Sequence, residues 1–358
     1  MAVVARIGDL PSDSFAVVMA TGIVSVAARD NGYPVVSAVL AVLAGVALLV
    51  LSTLVGVRAT LTGRAFADGP DALTRTFGMF TFVAACDVLD ARIGYERLGV
   101  VAALGLAATA AWLVLGARLP AVLRSVPRAA LRGTARGGWL LAAVATHSLA
   151  LTAAQLARAG VAATPLLILS LVWWVLGLLT YLLVAGLVVS RLRTARLAPE
   201  VLTPDLWVLM GALSIATVAG GALSLAADRS PAFGWLPGLL APTLVAVWVV
   251  AGAWIPLLVA AEVRRARWLR RPRYERARWA TVFPLGMYSS ACFTLAATLT
   301  RDTAGGTAFT SALRAASHAM FWVALAAWCA TAVGMSIAAT RRVSTPDGAS
   351  GGSSSSYG

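Results

Sequence analysis

The sequence predicts an all-α integral membrane protein: ten transmembrane helices, arranged as five helical hairpins around a central pore. Three observations carry that expectation. The 358-residue chain is 59% hydrophobic and 12% charged, about half the charge of a soluble domain, and its mean hydropathy is +0.83. Its apolar stretches alternate between shorter segments rich in Gly, Ser and Thr and longer ones dominated by Leu, Val, Ala and Trp. Its basic residues, all arginine, gather in alternate connections. A bare anchor has no use for such alternation, whereas five hairpins that each supply one small, polar helix can surround a path through the bilayer.

A span needs about 20 mostly apolar residues. Span 1 is read at residues 14–28, with Asp13 or Ser14 as its N-cap after Pro11. Span 2 follows at 35–57, then a connection carrying Arg58, Arg64, Asp68 and Asp71. Spans 3 and 4 lie at 73–89 and 98–115, ahead of Arg118, Arg124, Arg128, Arg132 and Arg136. Spans 5 and 6 occupy 138–156 and 165–189, followed by Arg191, Arg193 and Arg196. Spans 7 and 8 occupy 206–227 and 236–261, before the most basic connection, 264–278. Spans 9 and 10 close the series at 279–299 and 313–340. Residues 1–342 thus form a single transmembrane domain, and the Gly/Ser-rich stretch 343–358 is expected to be disordered. The residues before span 1 lack the charged start and cleavage site of a signal peptide.

Both termini and the connections after spans 2, 4, 6 and 8, with Arg75 at the start of span 3, hold 22 arginines. The opposite side holds seven: Arg29, Arg92, Arg97, Arg158, Arg229, Arg301 and Arg314. The positive-inside bias puts both termini in the cytoplasm and the protein in the cell (inner or plasma) membrane, which an even number of spans satisfies. The net charge of +14 is explained by topology, so no nucleic-acid partner is expected; membrane lipid is. Cys86, Cys292 and Cys329 lie inside spans, too few and too scattered for a disulfide framework or zinc site. No metal or other cofactor is called for.

Residues at i, i+3, i+4 and i+7 share a helix face. Span 1 then presents Val18, Thr21, Gly22 and Ser25; span 3 presents Thr74, Phe77, Gly78 and Thr81. Span 5 offers Ser148, Thr152 and Gln155; span 7 offers Met210, Ser214, Thr217, Gly221 and Ser224; span 9 offers Phe283, Gly286, Ser290 and Thr294. Small residues also serve close packing of membrane helices, and hydroxyls bond back to their own helix. Five such stripes in strict alternation favour a lined path.

Asp87 and Asp90 are read near the outer end of span 3, and Asp205 and Glu262 at cytoplasmic ends. A path without mid-membrane carboxylates argues against strong proton or sodium coupling and against a cation channel. Hydroxyl donors, helix N-termini and a basic inner rim suit anions. Pro284, near the start of span 9, bends a helix if it sits in the interior and would swing Phe283 toward the axis as an apolar gate; the other reading is a Phe packed between helices. Phe293 lies off the Gly286–Ser290–Thr294 face. His147 in span 5 is either a pH-sensitive pore residue or a packed core histidine. Together with His318 it could in principle ligate haem, which would make an oxidoreductase, but no second histidine pair, haem attachment motif or quinone signature accompanies them.

The phrase Ser14-Phe15-Ala16-Val17-Val18-Met19-Ala20-Thr21-Gly22-Ile23-Val24-Ser25 and, in span 9, Phe283-Pro284-Leu285-Gly286-Met287-Tyr288 resemble the tellurite-resistance/dicarboxylate transporter family. That family includes bacterial tellurite-resistance permeases, fungal malic acid permeases and sulfite exporters, and plant guard-cell slow anion channels. The resemblance runs over about residues 12 to 340. It implies a non-enzymatic transporter and a homotrimer, each protomer with its own pore lined by the five odd helices and occluded by a Phe on the ninth. Phe283 matches that position best, and Phe293 less well. The substrates implied are small anions: C4-dicarboxylate, sulfite, tellurite, nitrate or chloride. A proton-coupled carrier for dicarboxylate or sulfite is the alternative to a passive pore.

Overall fold

The computed structural model describes residues 11–62, 72–194, 198, 200–268, 274–301 and 306–343. The Gly/Ser-rich stretch from 344 onward and Arg6, Arg64, Arg196, Arg270, Arg271 and Arg273 lie outside the described residues. Ten long helices carry the fold, with no strands among the described residues: α1 (Ala16–Asp30), α2 (Pro34–Thr62), α3 (Ala72–Ile93), α4 (Leu98–Arg124), α5 (Leu141–Arg158), α6 (Ala163–Thr194), α7 (Val208–Ala226), α8 (Leu236–Trp268), α9 (Trp279–Leu299) and α10 (Ala308–Val343). Each odd helix packs against the even helix that follows it, giving five hairpins. The odd helices also pack on one another in sequence, and α9 packs back on α1. The inner ring is therefore closed.

Helix length and composition sort the two kinds. The odd helices are 15–22 residues long and the even ones 27–36. In α3, α5, α7 and α9, 72–89% of the central residues are buried, against 17–33% in the even helices. Every exposed large hydrophobic residue of a long helix sits on an even one, such as Leu49, Leu106, Leu182, Leu257 and Val333. So large an apolar outer surface belongs in hydrocarbon, where helices satisfy their own backbone groups. Among the described residues nine helices are long and apolar enough to cross a membrane. The tenth, α1, has 15 residues and is walled in by α2, α3 and α9, so it need not match the bilayer alone.

Tryptophans lock the outer helices onto the inner ring. Trp112 of α4 donates to Thr146 of α5 at 2.9 Å, and Trp174 of α6 to the Ala216 carbonyl of α7 at 2.8 Å. Trp248 of α8 reaches Cys292 of α9 at 3.2 Å, and Trp328 of α10 reaches Thr21 of α1 at 2.9 Å. An indole buries its rings and still needs one acceptor. Four of the five even helices thus tie themselves to the next odd helix, the last of these bonds closing the circle.

The even helices extend beyond the predicted spans. The spans read from sequence end where arginines begin, but α4, α6 and α8 run on through Arg118, Arg124, Arg191, Arg193, Arg264, Arg265 and Arg267. Charge ends the hydrocarbon layer, not the helix. The basic connection after α4 also holds a short helix, Arg128–Thr134. Short 3₁₀ turns at Gly137–Leu140, Pro204–Trp207 and Arg276–Arg278 lead into α5, α7 and α9.

Candidate functional site

All five odd helices run in the same direction. Their N-terminal ends surround a lower vestibule of about 260 Å³, lined among others by Asp13, Thr81, Arg136, Trp139, Asp205 and Arg276. Their C-terminal ends surround an upper vestibule of about 650 Å³, with Arg29, Asp30, Gln155, Arg158, Phe293 and Arg301 in its wall. Each vestibule takes residues from all five odd helices, so both lie on the axis of the closed ring. A water occupies about 30 Å³ of liquid; either space has room for a hydrated small ion.

Helix periodicity identifies what lies between them. Seven residues make almost two turns and return to the same face. On α5, Leu141 lines the lower vestibule and Gln155 the upper; Ser148 stands midway. On α9, Phe283 lies three residues above Ala280 in the lower wall and seven below Ser290 in the upper. Ile215 is midway between Val208 and Ala222 on α7, and Ile23 between Ala16 and Asp30 on α1. Ala84 on α3 lies three residues above Thr81 and seven below Ala91. All five are buried, Phe283, Ser148 and Ala84 completely. By spacing, these five positions, four apolar and one hydroxyl, fall at one level between the two vestibules.

The residues singled out from the sequence fall into four groups. Thr81 lines the lower vestibule, and Ser290 and Thr294 the upper one. Ser148 and Phe283 line neither vestibule and are completely buried between them. Thr21, Gly22, Ser25 and His147 turn toward neighbouring helices. Thr21 accepts from Trp328, Ser25 donates to the Ser37 carbonyl of α2 at 2.6 Å, and a Cβ on Gly22 would meet Val88 at 2.8 Å. The His147 ring lies against Gly177 of α6, and its Nδ1 donates to the Ala143 carbonyl at 2.9 Å. The last group lies between or along inner helices. Gly286 faces Ile23, and Phe77 stacks on Trp139 with centroids 5.2 Å apart. Ser214 and Thr217 bond back to Met210 and Leu213. Thr152 faces α3. The sequence reading missed Ile23, Ala84 and Ile215, because it searched for polar stripes; their seven-residue spacing from the vestibule walls was the available signal.

Three further expectations need correction. Asp87 and Asp90 are not at the surface: both are buried, at 1% and 0% exposure. α3 continues to Ile93 and is covered by α4 and α5, so the end of the apolar run was not the end of the buried helix. The Thr152 hydroxyl lies 3.1 Å from Asp87 Oδ1 and 2.6 Å from Asp90 Oδ2. The other oxygen of each carboxyl has no partner among the described residues. Phe293, read as off the Gly286–Ser290–Thr294 face, shares the wall of the upper vestibule with Ser290 and Thr294, the Arg314 guanidinium 3.9 Å above its ring. Finally, the two histidines are not brought together. His147 packs against α6, whereas His318 of α10 pairs with Tyr33 at 2.9 Å, in the turn after α1. Among the described residues no group of three or more His, Cys, Asp or Glu side chains could hold a metal.

Local sequence holds the lower rim together. A Cβ at Gly137 would collide with the Asp205 carbonyl, and the Gly138 N–H donates to the Asp205 carboxylate at 2.8 Å. Only glycine allows that approach between the leads into α5 and α7. At the upper rim, Arg29 donates to the Arg92 and Ala91 carbonyls at the end of α3, at 2.8 and 3.1 Å. Arg301 donates to the Ser224 carbonyl near the end of α7 at 2.8 Å and pairs with Asp228. Helix C-termini leave carbonyls without intrahelical donors, and these arginines supply them.

Over 156 residues, 43% of this chain and 74% of theirs, the chain is 38% identical to an uncharacterised membrane protein of Mycobacterium tuberculosis, matched in the strains CDC 1551 and H37Rv. A family model described as a voltage-dependent anion channel matches residues 9–336. It is the family that the opening phrase and the Phe283–Tyr288 phrase resemble, and its members move anions across membranes. The chain is therefore a multi-pass membrane protein of the voltage-dependent anion channel family.

Proposed function

We propose that small anions cross the membrane along the axis of the inner ring, passing a constriction closed by Phe283. The observation that carries this reading is the pair of vestibules, each walled by all five odd helices, with the buried Phe283 between Ala280 in the lower wall and Ser290 in the upper. In the lower vestibule Arg136 and Arg276 balance Asp13 and Asp205, so five helix N-termini supply the preference for anions; in the upper one Arg29, Arg158 and Arg301 outnumber Asp30. The lower vestibule faces the cytoplasm, with both termini, in the cell membrane. Three protomers associate, each with its own path, and the substrate is one of nitrate, chloride, sulfite, tellurite or a C4-dicarboxylate. Reversal potentials in a salt gradient test the reading: they are expected to follow the anion. A potential that follows the cation overturns it.

The buried Asp87–Thr152–Asp90 group favours a second reading, a proton-coupled carrier. One hydroxyl proton serves one carboxyl oxygen at a time, and a proton held between the two carboxyls would satisfy the other. Buried carboxyls in membrane helices are the usual carriers of coupling protons. On this reading an imposed pH gradient drives anion accumulation in the wild type, and Asp87→Asn abolishes the drive. Uptake indifferent to the gradient in the wild type leaves the passive path.

A further inference from the structure

We propose that the Ser148 hydroxyl is the hydrogen-bond donor that an anion meets at the constriction. The proposal rests on the axial pathway above and names its ligand. Of the five side chains midway between the vestibules, Ile23, Ala84, Ile215 and Phe283 offer no hydrogen bond. Ser148 is the polar one. A hydroxyl inside a helix ordinarily donates to a carbonyl one turn back, and Thr146, Ser214, Thr217 and Thr298 of the inner ring all do so. Ser148 does not. It is completely buried, and its Oγ has no hydrogen-bond partner among the described residues. A buried hydroxyl without a partner is uncommon and calls for an explanation.

Its position supplies one. α5 adjoins α3 and α7 in the ring, and α9 adjoins α7 and α1. Ser148 and Phe283 are thus on helices that are not neighbours, one on each side of the axis. An anion that displaces the Phe283 ring must give up water at this level and can replace it only from the wall. The Ser148 proton is the donor on offer, directed at an oxygen or halide lone pair. A hydroxyl kept free of the helix backbone is ready to donate without first breaking an internal bond.

The test measures nitrate influx into proteoliposomes for wild type, Ser148→Ala and Ser148→Thr, with melting temperature alongside. Loss of a hydrogen bond to a charged group is expected to raise the half-saturating nitrate concentration in Ser148→Ala about 10- to 100-fold. Ser148→Thr restores it. The melting temperature of Ser148→Ala stays level or rises, because no bond within the protein is lost. An unchanged half-saturating concentration in a well-folded Ser148→Ala overturns the proposal, and so does a melting temperature lowered by several degrees, which marks a structural bond. Wild type that carries neither nitrate nor any other anion defeats the pathway and the proposal together. Wild-type flux beside an indifferent Ser148→Ala defeats the proposal alone.

Discussion

Truncating Phe283 separates a gate from a packing residue, because the two roles predict opposite signs. The side chain is completely buried, inside α9 and next to Pro284, whose ring fills the space left by Gly211 of α7. If the phenyl ring is a core element, Phe283→Ala costs about 3–5 kcal/mol. At roughly 2–4 °C per kcal/mol, melting would fall by on the order of 10 °C, with no gain of flux. If the ring is a plug, its removal joins vestibules of about 260 and 650 Å³ into one path. Lowering the barrier at the dry step by only about 1.4 kcal/mol raises the rate tenfold. The expected result is therefore at least tenfold faster nitrate or chloride flux in proteoliposomes, with melting lowered by only a few degrees. Phe293→Ala is the comparison. It removes a ring from the wall of the upper vestibule, beneath Arg314, and is expected to leave flux within about twofold. Flat flux in a monodisperse Phe283→Ala protein refutes the gate, as does equal acceleration by Phe293→Ala.

Two other substitutions probe the frame around the path. Gly177→Ala places a Cβ 2.6–2.8 Å from three atoms of the His147 ring; overpacking of this kind costs about 1–3 kcal/mol, so melting should drop, and an unchanged melting curve would place the histidine elsewhere. Arg301→Ala removes the donor to the Ser224 carbonyl and the partner of Asp228. Anion flux should fall at low ionic strength and recover toward wild type near 1 M salt, where the screening length is about 3 Å; a loss insensitive to salt would argue against an electrostatic role.

Much of the fold was legible because hydrocarbon imposes length and polarity on every span. The start of α9 at Trp279 and the starts of α4 at Leu98 and α8 at Leu236 agree with the reading, since each follows a polar connection. The alternation of helix types was also legible: Gly, Ser and Thr mark helices that are buried all round. The direction of each polar side chain was not. Thr21 and Ser25 share a face in sequence terms, yet their partners are Trp328 and Ser37 on the outer helices. A helix enclosed on every side has no solvent face to betray its orientation, so periodicity identifies a stripe without saying what it faces. The carboxyl pair was misplaced for a related reason. Asp87 and Asp90 look like the polar end of a span until Thr152, 62 residues beyond Asp90, supplies the hydroxyl between them.

The parallel inner ring sets an electrostatic problem that the arginines answer. In an antiparallel bundle neighbouring helix dipoles oppose one another; here five of one sense surround the axis, while their antiparallel partners face outward. Each N-terminus carries about half a positive charge and each C-terminus about half a negative one. The lower vestibule is thus favourable to an anion from backbone alone, and the upper one is unfavourable. Arg29 and Arg301 are placed where that difference is largest, their guanidinium groups on the terminal carbonyls of α3 and α7. Arg158, exposed at the end of α5, lines the same space. By sequence these three belong to the small group of arginines on the sparsely charged side, where counting for topology treats them as a residue of the bias. By position they offset the negative helix ends, so that on the proposed path an anion would meet favourable charge at the upper mouth as well as the lower.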